Sequence, residues 1–174
     1  MRHLAKGRKK FLMITGIVIA AVIAIAVFIK YEIDISYNSL ETEEYTVTSD
    51  RIESDVKIVL ISDLHDHTFG EKNKELVKIL KDQKPDLILM AGDMINDVSK
   101  DSHVALELIE QVKDIAPVYY SLGNQEEDYI AKKTSDLISE LQDAGAIVLD
   151  ESYRDIVVNG NSIRLGGMYD YAFA

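Results

Sequence analysis

The chain has 174 residues and no Cys, which allows one domain with an appendage, excludes disulfides and thiolate metal sites, and fits an oxidising exterior. Six of its 19 basic residues lie in residues 1–30, where no acid occurs, so residues 31–174 carry 13 basic against 30 acidic side chains, a formal −17. A field of that sign repels polyanions and excludes nucleic acid as an expected ligand of this part, while local carboxylate clusters suit cations.

Residues 11–29 read FLMITGIVIAAVIAIAVFI, nineteen positions without a charge. That length crosses a hydrocarbon core of about 30 Å as a helix. Twelve of these residues are Ile, Val, Leu or Phe, and at about −0.5 kcal/mol each their insertion sums to about −6 kcal/mol. Arg2, Lys6, Arg8, Lys9 and Lys10 precede the run and Lys30 alone follows closely. The positive-inside rule therefore predicts a cytoplasmic basic segment at 1–10, a transmembrane helix at 11–29 in the lipid bilayer, and an extracytoplasmic remainder: a single-pass protein of the cell membrane. A cleaved signal peptide competes, because Ala24-Ile25-Ala26 is small-x-small; it lies inside the apolar run, however, which favours an uncleaved anchor.

Residues 30–50 are polar and acidic, without Pro or Gly, and read as a tether leading into a first strand near 45–48. An alternation then sets in. Residues 56–61 and 87–90 are short apolar runs of strand length, separated by a helical stripe of Leu76, Val77 and Leu80. Val104, Leu106, Leu108, Ile109 and Val112 predict a second helix, 118–121 a strand, 130–141 a third helix and 146–149 a further strand. Apolar strands alternating with helices predict βαβ units and an α/β fold, with a mainly parallel sheet covered on both faces. Residues 155–165 differ: they predict a β-hairpin turning at Asn159-Gly160.

Three strands end in chemistry. Asp63-Leu64-His65 follows the first, Gly92-Asp93 the second and Gly123-Asn124-Gln125 the third; Asp63 and Asp93 are 30 residues apart, Asp93 and Asn124 31. A βαβ crossover takes about 30 residues, so these side chains recur at equivalent strand ends, about 4.8 Å apart, where open α/β sheets bind ligands. Glycines at 92 and 123 allow sharp turns and leave room for an ion or phosphate. Singly, an Asp after a strand reads as a cap or turn residue and a lone His as a solvated one; three strand ends in phase read as one site.

These residues resemble the calcineurin-like metallophosphoesterases, whose hallmark runs D-x-H, then G-D, then G-N-H followed by Glu or Asp. With the anchor, the chain resembles a membrane-bound bacterial branch of that family, over roughly residues 55–170. The resemblance implies a partial domain at 51–174, the first half of an α/β/β/α sandwich. It implies that Asp63 and His65 bind a first metal, that Asp93 bridges two divalent ions (Mn, Fe or Zn), and that Asn124 binds the second and touches a phosphate-ester substrate, monoester or diester. Two ions about 3.5–4 Å apart polarise a phosphoryl oxygen and activate water. Two departures stand out. Gln125 occupies the place of the family's proton-donating His, and an amide supplies no proton near neutral pH. The late G-H-x-H of the family is absent from the sequence, so the second metal site is incomplete and the sequence reads as part of a longer or split protein. A degenerate, non-catalytic binding protein is the alternative expectation. A rival grammar, His65-x-His67-Thr68, matches the PHP-type phosphoesterases, but these need several later His and only His103 follows; His67 is therefore expected beside the site or on the surface.

Overall fold

The computed structural model describes residues 2–133 and 136–168. It divides into two compact units, 1–43 and 44–174. The first contains helix α1, Arg2–Asn38. Its apolar residues from Phe11 onward are all exposed, Phe11 at 69% and Ile29 at 51% among them, and the helix is long and apolar enough to cross a membrane. Helical structure thus runs nine residues past the apolar stretch before the chain becomes irregular.

The expected strand at 45–48 is not formed: Tyr45 is 82% and Val47 91% exposed, in irregular backbone. β-branched and aromatic residues make a strand only on a surface that buries them, and these meet none. The chain is instead clipped down at 53–54. The buried side chain of Asn161 accepts from the amides of Glu53 (2.7 Å) and Ser54 (3.3 Å) and donates to the Ser54 carbonyl (2.8 Å).

The second unit then runs β1 (Ile58–Ile61), α2 (Lys74–Gln83), β2 (Leu87–Ala91), α3 (His103–Val112), β3 (Val118–Ser121), α4 (Asn124–Lys132), α5 (Leu137–Ala144), β4 (Ile147–Val148), β5 (Ser152–Val158) and β6 (Asn161–Gly167). The first four strands form a parallel sheet in the order β1-β2-β3-β4. Sequential order with one crossover hand places every connecting helix on the same face, where α2 touches α3 and α3 packs on α5. Helices therefore cover one face of the sheet and not both. Ile88, Met90, Leu108, Ile109, Leu137 and Leu141 are buried to 1% exposure or less; packing of this kind supplies most of the stability of short helices.

The hairpin β5–β6 serves the other face. Its Ile156, Val158 and Leu165 pack against Leu87, Tyr119 and Leu149. The turn lies at Asn159 (φ 51°) and Gly160 (φ 85°), the pair of positive φ values that a two-residue type I′ turn requires. Ile58 and Leu60 are register partners of Leu87 and Leu89, hence on the hairpin side, and they are 43% and 64% exposed: the hairpin does not reach the β1 edge.

The expected helix at 130–141 is two helices. Tyr129 and Leu137 are both buried, at 4% and 0%, but Lys133 leaves helical geometry (φ −126°, ψ −54°). Thr134-Ser135-Asp136 is a run of cap-forming residues before an apolar stripe, the signature of a helix start. Residues 134, 135 and 169–174 lie outside the described residues.

Candidate metal centre

The carboxyl ends of β1, β2 and β3 lie side by side, and the loops that leave them stay stitched together. The amide of Asp63 donates to the Gly92 carbonyl (3.2 Å), that of His65 to Asp93 (3.0 Å) and that of Asp66 to Met94 (3.0 Å). Four non-glycine residues here adopt left-handed backbone: Asp63 (φ 55°), His65 (48°), Asp66 (58°) and Asp93 (53°). Each such conformation costs about 1–3 kcal/mol and persists only where its surroundings enforce it, a pattern concentrated at functional sites.

The enforced geometry brings together Asp63, His65 and Asp93, whose potential ligand atoms all lie within 4.8 Å of one another. His65 Nε2 is 3.9 Å from Asp63 Oδ1, and its Nδ1 meets Asn96 Oδ1 at 3.0 Å. Among the described residues no lysine or arginine pairs with Asp63 or Asp93. Two uncompensated carboxylates and an imidazole are a donor set that fits a divalent cation. Of the two pairs, Asp63-x-His65 falls within this trio; His67 is half-buried, edge-on to Phe69 at 4.6 Å, and outside it.

Asn124 is the first residue of α4 and, with Asp63, Asp93, Gly123, Gly166 and Met168, lines an open cleft of about 420 Å³. The two residues expected at a second ion, Asp93 and Asn124, both line this cleft. Gln125 is not among the lining residues. Its amide N–H donates to Asp93 Oδ1 (3.0 Å), while its side-chain Oε1 accepts from the amide of Asp97 (3.0 Å). The glycines have a role different from the one expected. Gly92 does turn in positive φ (79°), but a Cβ there would stand 2.5 Å from the Gly123 amide nitrogen, and a Cβ on Gly123 would fall on Asp93 Oδ1. The space at Gly123 is taken by Asp93 itself.

Sequence reasoning gave no role to Glu126. Its side chain is fully buried. One oxygen accepts from the amides of Asp93 (2.8 Å) and Gly123 (2.9 Å), the other from those of Met94 (2.9 Å) and Ile95 (3.4 Å) and from the Tyr120 hydroxyl (2.7 Å). A buried carboxylate is tolerated when its lone pairs are filled in this way. Burial, and then the Glu126 charge, hold the Tyr120 hydroxyl well above the usual phenol range, so it remains a donor. Asn96 and Asp66 were also missed: Asp66 Oδ2 accepts from Asn96 N (3.1 Å), from Asn96 Nδ2 (3.1 Å) and from the Ser99 hydroxyl. The available signals were Glu126 at the third position of α4, the capping-box place, and Asn96 three residues after Asp93.

Asp63, Asp93 and Asn124, from three strand ends of one parallel sheet, thus line a single cleft, and His65 stands beside Asp63. The profile of the calcineurin-like phosphoesterases matches residues 56–169, and the chain belongs to that family. It is similar to the uncharacterized metallophosphoesterase YkoQ of Bacillus subtilis, 24% identical over 86% of this chain and 58% of that one. It is also similar to the uncharacterized metallophosphoesterase Cj0846 of Campylobacter jejuni, at 25% over 86% and 42%. A Caenorhabditis elegans relative named as a metallophosphoesterase is 29% identical over 66% of this chain and 24% of its own. The chain thus spans about a quarter to somewhat over half the length of these relatives.

Proposed function

We propose that the protein belongs to a metal-dependent hydrolase of phosphomonoesters or phosphodiesters, anchored in the cell membrane through residues 11–29 with its domain on the outer side. The observation that carries the catalytic part is the meeting of Asp63, His65 and Asp93 within 4.8 Å, beside a cleft that Asn124 lines. Divalent ions held by such ligands polarise a phosphoryl oxygen and activate water. The chain's own contribution is placement. The Gln125 amide orients the Asp93 carboxylate, Glu126 fixes the backbone on either side of it, and the Asn124 amide side chain stands ready to donate to a phosphate oxygen.

Gln125 donates no proton to a leaving group, so the proposal favours esters with good leaving groups. The test uses the full chain in detergent with Mn²⁺ and a chromogenic phosphodiester, compared with Asp93→Ala. Hydrolysis well above the Asp93→Ala rate is expected, and equal background rates overturn the catalytic reading. A second reading, a non-catalytic relative that binds one cation, is favoured by the engagement of the Gln125 side chain with the Asp97 amide; it predicts metal binding without turnover.

A further inference from the structure

Asn96 sits three residues after Asp93, and every polar atom of its side chain is engaged between the two loops that form the trio. Its Nδ2 donates to the His65 carbonyl (2.9 Å) and to Asp66 Oδ2 (3.1 Å). The first is a carbonyl, and the second already accepts from the Asn96 backbone N–H, so the two acceptors fix the orientation of the amide. Oδ1 is then the atom that faces His65 Nδ1 at 3.0 Å. An amide oxygen cannot donate, so Nδ1 carries the imidazole proton and the Nε2 lone pair is left free. Nε2 is the nitrogen on the side of Asp63, 3.9 Å from its Oδ1. Meanwhile the Asn96 amide N–H donates to Asp66 Oδ2 and to Ser99 Oγ, each at 3.1 Å, which holds Asn96 in place from the other side.

We infer that Asn96 is a positioning residue: it fixes the tautomer and ring orientation of His65 and thereby sets the affinity of the Asp63, His65 and Asp93 trio for a divalent cation. The inference rests on the metal reading of that trio. A histidine that binds through one nitrogen gains when the other donates to a fixed acceptor, because only one tautomer and one ring angle then remain to be selected. Here the acceptor comes from the loop that carries Asp93, so the same residue ties the imidazole to the neighbouring ligand. The left-handed backbone at His65 and Asp66 is closed over this clasp.

The test has two arms, both on the full chain in detergent. Long-range ¹H–¹⁵N spectra of the metal-free wild-type protein read the His65 tautomer directly, and the proton is expected on Nδ1; a proton on Nε2 overturns the inference. Calorimetric titration with Mn²⁺ then compares variants. Asn96→Leu should weaken binding by about 10–100-fold, the usual cost of losing a group that orients a ligand. Asn96→Ala removes the same acceptor with a smaller side chain and should weaken binding by a similar factor, which also covers the case in which Asn96→Leu does not fold. In a His65→Ala background, Asn96→Leu should change the dissociation constant by less than about twofold, since residues acting through one contact are not additive. Equal weakening in both backgrounds marks a merely structural residue and overturns the inference. Wild-type binding with an unaltered Asn96→Leu overturns it alone, whereas a wild-type chain that binds no divalent cation overturns the metal reading and this inference together.

Discussion

At the scale of single residues, the trio stands on groups that are not themselves part of it. Glu126 collects four amides and one hydroxyl on two oxygens, and replacing it by Gln turns one of those oxygens into a donor facing donors. Hydrogen bonds to a buried charge are worth about 1.5–3 kcal/mol each, so Glu126→Gln should cost about 3 kcal/mol of domain stability in a urea titration. The glycines separate strain from collision. Gly92→Ala meets both an unfavourable φ and the Gly123 backbone and should fail to fold, whereas Gly123→Ala has an ordinary extended φ (−105°) and meets Asp93 alone, at its Oδ1 and at its amide nitrogen (2.7 Å). Gly123→Ala should therefore displace Asp93 and bind Mn²⁺ at least tenfold more weakly in a calorimetric titration, an order of magnitude set by the displacement of one ligand. Asp63, His65 and Asp93 were legible in the sequence because ligand chemistry at strand ends recurs with the period of a βαβ unit. Glu126 was legible only as the acid that follows the G-N motif, and Asn96 not at all, because their partners are main-chain atoms and loop residues that come within reach only after the sheet has formed.

At the scale of elements, the four parallel strands and the hairpin follow from apolar runs and one Asn-Gly turn, while the errors lie where pattern and context part. The 45–48 segment has strand composition and no surface to lie on; the 130–141 stripe has helical period but is interrupted by residues that start a helix better than they continue one. Two predictions belong here. Asn161 at the start of β6 holds the entering chain at Glu53 and Ser54, so Asn161→Ala should cost about 1–3 kcal/mol and speed hydrogen exchange at the Glu53 amide selectively. Tyr120 at the centre of β3 keeps its proton in the folded state to a pH well above that of an ordinary phenol. The unfolded chain then releases a proton that the folded chain retains. The contribution is fully present below pH about 10 and is lost as pH rises toward the folded value, at about 1.4 kcal/mol per pH unit. Urea midpoints measured upward from pH about 9 should fall for the wild type and fall less steeply for Tyr120→Phe, which starts about 1–2 kcal/mol lower because Glu126 has lost a donor. Identical slopes would show that Tyr120 titrates normally.

At the scale of the whole molecule, the sequence is divided by charge into a basic, then apolar, leading segment and an acidic remainder, and the proposed anchor turns on a free energy that substitution can reverse. Insertion of residues 11–29 amounts to about −6 kcal/mol, and a lysine at the centre of a spanning helix costs about +3 kcal/mol where an isoleucine gains about 0.5. Ile19→Lys together with Ile23→Lys therefore shifts the sum by about 7 kcal/mol, to about +1 kcal/mol, and abolishes insertion. Both side chains are exposed on α1, at 54% and 58%, so the change removes no packing within the helix. The wild-type chain should stay in the membrane pellet after an alkaline carbonate wash, with an intact N-terminus, and the double variant should appear in the supernatant. Recovery of the wild type as a soluble chain beginning after Ala26 would mark residues 11–29 as a cleaved leader instead, and a double variant retained in the pellet would move the membrane contact to another part of the protein. The basic residues ahead of the run and the acidic remainder behind it set the expected direction as well: protease added outside sealed cells should reach residues 44–168 and leave residues 1–10 protected.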